Sequence, residues 1–202
     1  EGENETQDLE RIAVGGHLLL GGDNMDAALA HHVMAKANRT NLDPSEWSAL
    51  LQSVRLAKEK LLGPDAPEEM VVSLQKRGSR LIAGTQSIPL TKAEVNELLL
   101  DGFIPKTGPA DVPQKNKRAG LTTLGLPYAT DPAIPRHVCA FLRRHIEGAQ
   151  EVNAQIQDGL PRPDLVLLNG GVFHSPALVQ RLSEVFNHWF GGEPITFLEH
   201  TS

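Results

Sequence analysis

Apolar residues recur every three or four positions in several stretches of the chain, which is the spacing of amphipathic helices. One helix is predicted over residues 26–38, with Asp23 or Asn24 as its cap. A longer helix is predicted over residues 43–63. Asp43 followed by a proline suits its start, and a glycine-proline pair suits its end.

A capping box marks the start of a third helix. The Thr91 side chain can accept the backbone N–H of Glu94, whose carboxylate can reach back to the start of the helix. Leu90 can pack on Val95 as a hydrophobic staple. We therefore expect a helix from Thr91 to about Asp101.

Two further helices are expected in the C-terminal half. One begins between Asp131 and Ile134, where two prolines make its first residue ambiguous, and it is open to an extension toward Gln157. The other is predicted over residues 175–191, because a serine-proline pair opens it and a glycine pair closes it.

Short apolar runs between turn residues predict strands. The continuous run at 164–168 is typical of a strand buried on both faces. The C-terminal order of strand, glycine turn, helix and strand is typical of an α/β unit. The predicted strands are 11–14 and 17–20 about a glycine pair, 70–74 and 79–83 about a hairpin turn at Arg77-Gly78, 164–168, and 195–198.

Residues 103–130 are rich in proline and glycine and carry the basic run Lys115-Asn116-Lys117-Arg118. They are predicted to form a long irregular insertion or linker. The basic run is short and lacks interleaved aromatic residues, so it is interpreted as a solvated loop.

Composition narrows the function classes. The 202 residues are 40% hydrophobic, enough for a sizeable core, and their formal net charge of −6 disfavours nucleic acid as a partner. The apolar runs are too short to span a membrane. Cys139 is the single cysteine and no signal peptide opens the chain, so a cytoplasmic protein is expected. The missing initiator methionine suggests an excised fragment.

The sharpest candidate for chemistry is the segment 165–176, where Gly170 and Gly171 stand between a predicted strand and a helix. Glycines let the backbone approach a ligand closely, and a helix start offers free N–H groups to a phosphate. The segment alone does not decide between a nucleotide cradle and a tight αβ connection.

Other polar groups have simpler interpretations. Asp23 and Asp26 are interpreted as helix caps rather than metal ligands, because no second cluster of oxygen ligands stands nearby. Arg55, Lys58 and Glu59 could line the edge of a pocket, but a charged helix face is more often solvated. No metal site is predicted, since the eight histidines have no zinc-enzyme spacing.

Four short segments match the motifs of one protein family in their order along the chain. Residues 20–26, Leu-Gly-Gly-Asp-Asn-Met-Asp, resemble its Leu-Gly-Gly-Glu-Asp-Phe-Asp. Residues 55–62 resemble its Glu-Arg-Ala-Lys-Arg-x-Leu-Ser helix, and residues 91–99 its Thr-Arg-x-x-Phe-Glu-x-Leu. Residues 169–176 resemble its Val-Gly-Gly-Ser-x-Arg-x-Pro turn. The chain thus resembles the heat shock protein 70 (DnaK-type) chaperones, and large bacterial DnaK-like proteins in particular.

The resemblance implies an α/β fold, namely lobe II of an actin-like (ribonuclease H-like) ATPase domain with an extra insertion. It covers about residues 11–102 and 150–199. The implied organisation is a disordered acidic start (1–10), a partial sheet-and-helix base (11–22 and 150–202), a helix-and-hairpin upper subdomain (23–102), and an insertion with a helix (103–149).

The resemblance also implies binding residues. Gly170 and Gly171 would contact the ribose and phosphate side of a nucleotide. Arg55, Lys58 and Leu62 would take the positions of the adenosine-facing helix.

Three positions depart from the family pattern. Arg55 stands where the family has an acid, Leu62 where it has serine, and His174 where it has an arginine that stacks on the base. A carboxylate and a hydroxyl able to hydrogen-bond adenosine are thereby replaced. The adenosine side of the site is therefore expected to be rebuilt.

The implied function is one wall of the ATP cleft in a DnaK-like chaperone. The parent would be an ATPase that uses ATP or ADP with Mg²⁺ and meets client polypeptides and a nucleotide-exchange co-chaperone, while this chain alone is not expected to hydrolyse ATP. Two alternatives remain. One is a degenerate lobe that serves as a protein-interaction module through residues 103–130 or the helix after them. The other is an actin-fold sugar or carboxylate kinase. Such kinases share the architecture but do not combine a Leu-Gly-Gly-Asp segment with a helix like that of Lys58, so this alternative ranks last.

Overall fold

The structure is a computed structural model and describes residues 10–75, 84–114 and 131–198, which form a mixed α/β fold. The helices are α1 (Gly22–Lys36), α2 (Pro44–Leu61), α3 (Lys92–Asn96), α4 (Ile134–Arg144), α5 (Ile146–Glu151) and α6 (Pro176–Trp189). The strands are β1 (Glu69–Gln75), β2 (Thr85–Thr91), β3 (Ile156–Gln157), β4 (Leu160–Pro161), β5 (Leu165–Leu167) and β6 (Thr196–Leu198). A π-helical turn (Glu97–Asp101) continues α3, and a 3₁₀ turn (Gly171–His174) precedes α6.

The helix starts follow from local capping chemistry. The Asp43 carboxylate accepts the backbone N–H of Glu46 at 2.8 Å and thereby starts α2 as predicted. The predicted caps of α1 are wrong, because this helix begins at Gly22 with Gly21 as its N-cap. The Asn24 side chain accepts the Gly21 N–H at 2.7 Å. Asp26 consequently lies inside the helix.

A β-hairpin packs against the first two helices. Strands β1 and β2 pair antiparallel from Glu69 opposite Thr91 to Gln75 opposite Thr85. The prediction of the first strand is confirmed, while the predicted second strand and turn lie outside the described residues. Strand β2 was not expected from the sequence, because Pro89 interrupts a short pattern that is otherwise largely polar.

The C-terminal unit has the predicted order, with parallel β5 and β6 joined through α6. The prediction that β5 is buried on both faces is wrong, because Leu165 and Leu167 are exposed and the exposed fraction of Leu167 is 64%. The predicted strands 11–14 and 17–20 are also wrong, since both segments are irregular. Among the described residues this sheet consists of β5 and β6 alone, and neither segment joins it.

The helix predicted after Asp131 forms as two pieces rather than one. Helix α4 ends at Arg144, and α5 follows it after His145 and ends at Glu151. The proposed extension toward Gln157 is wrong, because that residue lies in the short hairpin of β3 and β4.

Most of the buried apolar residues belong to one core that runs from Met25 in α1 to Trp189 in α6. The first part of the predicted insertion is irregular, as expected, but it is tied to this core. The Trp189 indole N–H donates to the Thr107 carbonyl at 2.8 Å, and both residues are buried. Among the described helices, none is long and apolar enough to cross a bilayer.

Asp131 joins the two ends of the segment 115–130, which lies outside the described residues and includes the basic run. Its carboxylate accepts the backbone N–H of Gln114 at 2.7 Å and that of Ala133 at 2.9 Å, and Arg136 pairs with it. Burial raises the pKa of Asp131, but these hydrogen bonds and the cation outweigh it and lower the pKa below its ordinary value. The charged form is therefore the one that holds this joint.

The predicted capping box of α3 is confirmed, and it also joins α3 to α1. Thr91 donates its backbone N–H to the Glu94 carboxylate at 2.8 Å, and Lys36 and His32 contact the same carboxylate at 2.6 and 3.1 Å. Burial raises the pKa of Glu94, but hydrogen bonds from these partners, with that of Lys36 the largest, lower it to about 2.

We expect Glu94→Gln to lower the free energy of unfolding at pH 7 by about 1 to 2 kcal/mol. The folded pKa of about 2 lies below the ordinary 4.5, so the stabilisation is fully present above pH 4.5 and disappears as the pH falls toward 2. Urea unfolding of both proteins across this range measures the difference. The exposed Glu97→Gln is the control, and a difference that stays constant with pH would contradict the prediction.

Candidate functional site

An open cavity of about 970 Å³ lies where three parts of the fold meet. They are the start of α1, the C-terminal half of α2, and the 3₁₀ turn with the start of α6. Leu18 and Leu19 line it from the irregular segment before α1. These elements are far apart in sequence, so the cavity is a product of the tertiary fold.

Part of the cavity lining is apolar. These side chains have no N–H or O–H group to donate, so they contact the apolar or planar parts of a ligand. We call them together the apolar wall, and they are Leu18, Leu19, Leu20, Met25, Leu62, Val172 and Leu178.

Four alternating charges form what we call the ion chain, Asp23, Arg55, Asp26 and Lys58. The Arg55 guanidinium contacts Asp23 at 2.6 Å and Asp26 at 2.8 Å. The second oxygen of Asp26 lies 2.6 Å from the Lys58 ammonium. The chain thus runs from an exposed end at Asp23 to a buried end at Lys58.

The buried Asp26 carboxylate depends on its two cationic partners in the ion chain. Asp26 is 1% exposed, and a carboxylate at such a depth is stable only with cationic or hydrogen-bonding partners. The hydrogen bond and the charge of Asp26 raise the pKa of Arg55 above its ordinary value. Interpreting this helix face as merely solvated is wrong for Lys58, whose side chain is 10% exposed.

Two contacts hold the walls of the cavity together. The Ser175 hydroxyl donates to the Leu62 carbonyl at 3.1 Å and ties the start of α6 to the end of α2. Gly22 brings α1 close to the 3₁₀ turn, because a Cβ at this position would lie 3.2 Å from the Val172 side chain. A side chain on residue 22 would require the Val172 side chain to shift by a few tenths of an ångström.

The two glycines after β5 have different roles. Gly170 has φ 107° and ψ 151°, a conformation that is essentially restricted to glycine. Gly171 does not have a positive φ, and a Cβ added to it would meet no atom within 4 Å. A 3₁₀ turn stands between these glycines and α6, and the predicted start of α6 is confirmed, because the helix begins at Pro176 with Ser175 as its N-cap.

Five of the six residues expected to bind a nucleotide line this cavity. Gly170 is the exception, since it shapes the turn without being one of the described lining residues. The five that line the cavity are Arg55, Lys58, Leu62, Gly171 and His174.

Asp26 is the site residue whose role the sequence did not indicate. Interpreting it as a helix cap is wrong, because its carboxylate lies between Arg55 and Lys58. One signal could have located it. A helix that starts at Gly22 places Asp26 one turn in on a mainly apolar helix, and an acid there requires cationic partners.

The remaining reactive side chains lie elsewhere. Burial raises the pKa of the Cys139 thiol, which donates to the Pro109 carbonyl, so the expected buried thiol is confirmed. Burial lowers the pKa of His31, whose ring lies 5.0 Å from that of Trp47. Within the described ranges, no group of three or more His, Cys, Asp or Glu residues could hold a metal ion.

A comparison of the chain with protein-family models finds no match, and a comparison with curated proteins finds no similar sequence. The inference of function therefore depends on the geometry of the cavity and on the motifs that surround it.

Alanine substitutions should separate the two glycines. We expect Gly170→Ala to lower the free energy of unfolding by about 1 to 3 kcal/mol, because alanine is strained at this φ and ψ. Gly171→Ala should change it by less than about 0.5 kcal/mol, because its Cβ points into open space. Denaturant unfolding measures both variants. Equal losses would contradict the assignment of a conformational role to Gly170 alone.

Proposed function

We propose that this chain is part of the nucleotide-binding domain of a DnaK-like molecular chaperone and forms one wall of its ATP cleft. One observation carries the proposal. Three segments that resemble motifs of this family, residues 20–26, 55–62 and 169–176, each contribute to the lining of a single cavity. Segments that are separated in sequence and meet around a cavity of this size are typical of a ligand site.

The cavity is suited to such a ligand in size and chemistry. Its volume of about 970 Å³ lies near the upper end of the range for small-molecule sites. Gly171 leaves room for close approach to the backbone, which suits a ribose or phosphate. The apolar wall offers a surface for a planar base. Arg55, Lys58 and His174 would form the rest of the adenosine-facing side, next to Leu62 of the apolar wall.

The proposed domain is an actin-like lobe, and hydrolysis would need more than this wall. Phosphoryl transfer requires positioned phosphates and a cation such as Mg²⁺, which the proposed parent would hold between two lobes. We therefore propose nucleotide binding within the whole ATPase and no hydrolysis by this chain alone. Clients and a nucleotide-exchange co-chaperone would act through the parent.

A second candidate is a lobe that has become a protein-interaction module. The exposed Leu165 and Leu167 of β5 and Leu198 of β6 favour it, because a parallel sheet is usually covered on both faces. Leu62 stands where the family has a serine that can hydrogen-bond adenosine, and this difference also favours the interaction module. The two candidates differ in whether nucleotide binds.

Titration calorimetry of ATP and ADP into the full-length natural polypeptide tests the proposal. Gly171→Val adds a side chain into open space beside the cavity, so we expect it to weaken nucleotide binding by about ten-fold or more, equivalent to about 1.4 kcal/mol.

Gly102→Val is the matched control, because a Cβ on Gly102 also meets open space and this residue does not line the cavity. The control should bind as the wild type does. If the wild type binds nucleotide no better than Gly171→Val, the ATPase proposal is wrong and the interaction module is favoured.

A further inference from the structure

The irregular segment before α1 is held to the fold by few contacts. Among the described residues, the backbone of residues 11–20 forms one hydrogen bond with another backbone group, from the Leu20 N–H to the Leu18 carbonyl at 2.8 Å. Leu20 packs against the core, and a Cβ on Gly15 would lie 3.3 Å from the Phe141 ring. Residues 16–19 run between these two anchors, and we call them the strap. A backbone with so few hydrogen bonds rearranges locally at a low cost in free energy.

The two leucines of the strap are incompletely buried, although they line the cavity. The exposed fraction is 49% for Leu18 and 51% for Leu19. Burial of apolar surface is favourable, so a movement that brought these side chains over an occupant of the open cavity would be stabilised by the area that it removes from water. The empty cavity offers no such partner to the exposed half of each leucine.

The first residue of the strap is a glycine that the present conformation does not require. The φ of Gly16 is not positive, and a Cβ at this position would meet no atom within 4 Å. Glycine loses more conformational entropy on folding than any other residue, so it is a costly choice at such a position. Its freedom suits a chain that adopts a second backbone conformation at this point.

We propose that the strap closes over the cavity when a ligand binds, with Gly16 as its pivot and Leu18 and Leu19 as the side chains that cover the ligand. The inference rests on the proposed function, because the ligand is the nucleotide proposed above. It goes further by assigning the cavity two states, open when empty and closed when occupied. Contacts between the leucines and the ligand form only in the closed state, and these contacts shift the equilibrium toward it.

Hydrogen–deuterium exchange of the full-length natural polypeptide, without and with saturating ADP, tests the closure. We expect ADP to slow the exchange of the strap amides by about three-fold or more. In the double variant Leu18→Ser, Leu19→Ser the slowing should disappear even at saturation, because the side chains that hold the strap closed are absent. A wall that does not move would keep its protection, since the bound nucleotide alone would cover it.

Val14→Ser is the matched control for the double variant. Val14 belongs to the same irregular segment and its exposed fraction is 67%, but it lies outside the strap and does not line the cavity. The slowing of exchange by ADP should be the same in this control as in the wild type.

Gly16→Val tests the pivot without changing the lining of the cavity. A Cβ on Gly16 meets open space in the open state, so the free energy of unfolding without nucleotide should be unchanged. A β-branched residue restricts the backbone and disfavours the second conformation, so calorimetry should show an ADP affinity about three-fold lower or less. Gly102→Val is the control and should bind as the wild type does.

The outcomes separate the strap from the proposed function. If ADP binds but the exchange of the strap amides does not slow, or slows equally in the double serine variant, closure is overturned while nucleotide binding stands. Wild-type affinity in Gly16→Val overturns the role of Gly16 as the pivot. If the wild type binds neither ATP nor ADP, the proposed function fails and this inference fails with it.

Discussion

The burial of one negative charge constrains the arrangement of α1 and α2. Asp26 lies inside α1 with almost no exposure, and an unpaired carboxylate at that depth would cost several kcal/mol. Helix α2 must therefore present Arg55 and Lys58 at one place and in one register. This requirement constrains how the two helices pack, and the cavity lies beside the helix pair. The buried charge of Asp26 thus helps to determine the shape of the cavity.

The other walls depend on weaker but equally specific contacts. The hydrogen bond from Ser175 to Leu62 joins parts of the chain that are 113 residues apart, and Gly22 permits the close approach of α1 to Val172. The first contact involves the end of α2, so it depends on where the ion chain places that helix. These contacts, together with the shared core, bring the three segments to one cavity.

The sequence predicted much of the fold where the cause is local. The capping chemistry at Asp43 and Thr91 depends on neighbours within one turn, so both helix starts were predictable. The exposure of Leu167 and the role of Asp26 were not, because each depends on residues distant in sequence. Five of the six expected site residues line the cavity, but a motif cannot reveal that its cations are already paired.

The joint at Asp131 has a consequence for how the chain can vary. Hydrogen bonds hold Gln114 and Ala133 on one carboxylate, so the fold fixes both ends of the segment between them. One charged side chain therefore sets together where the chain leaves the described part of the fold and where it returns. A substitution that removed the Asp131 carboxylate would release both positions at once.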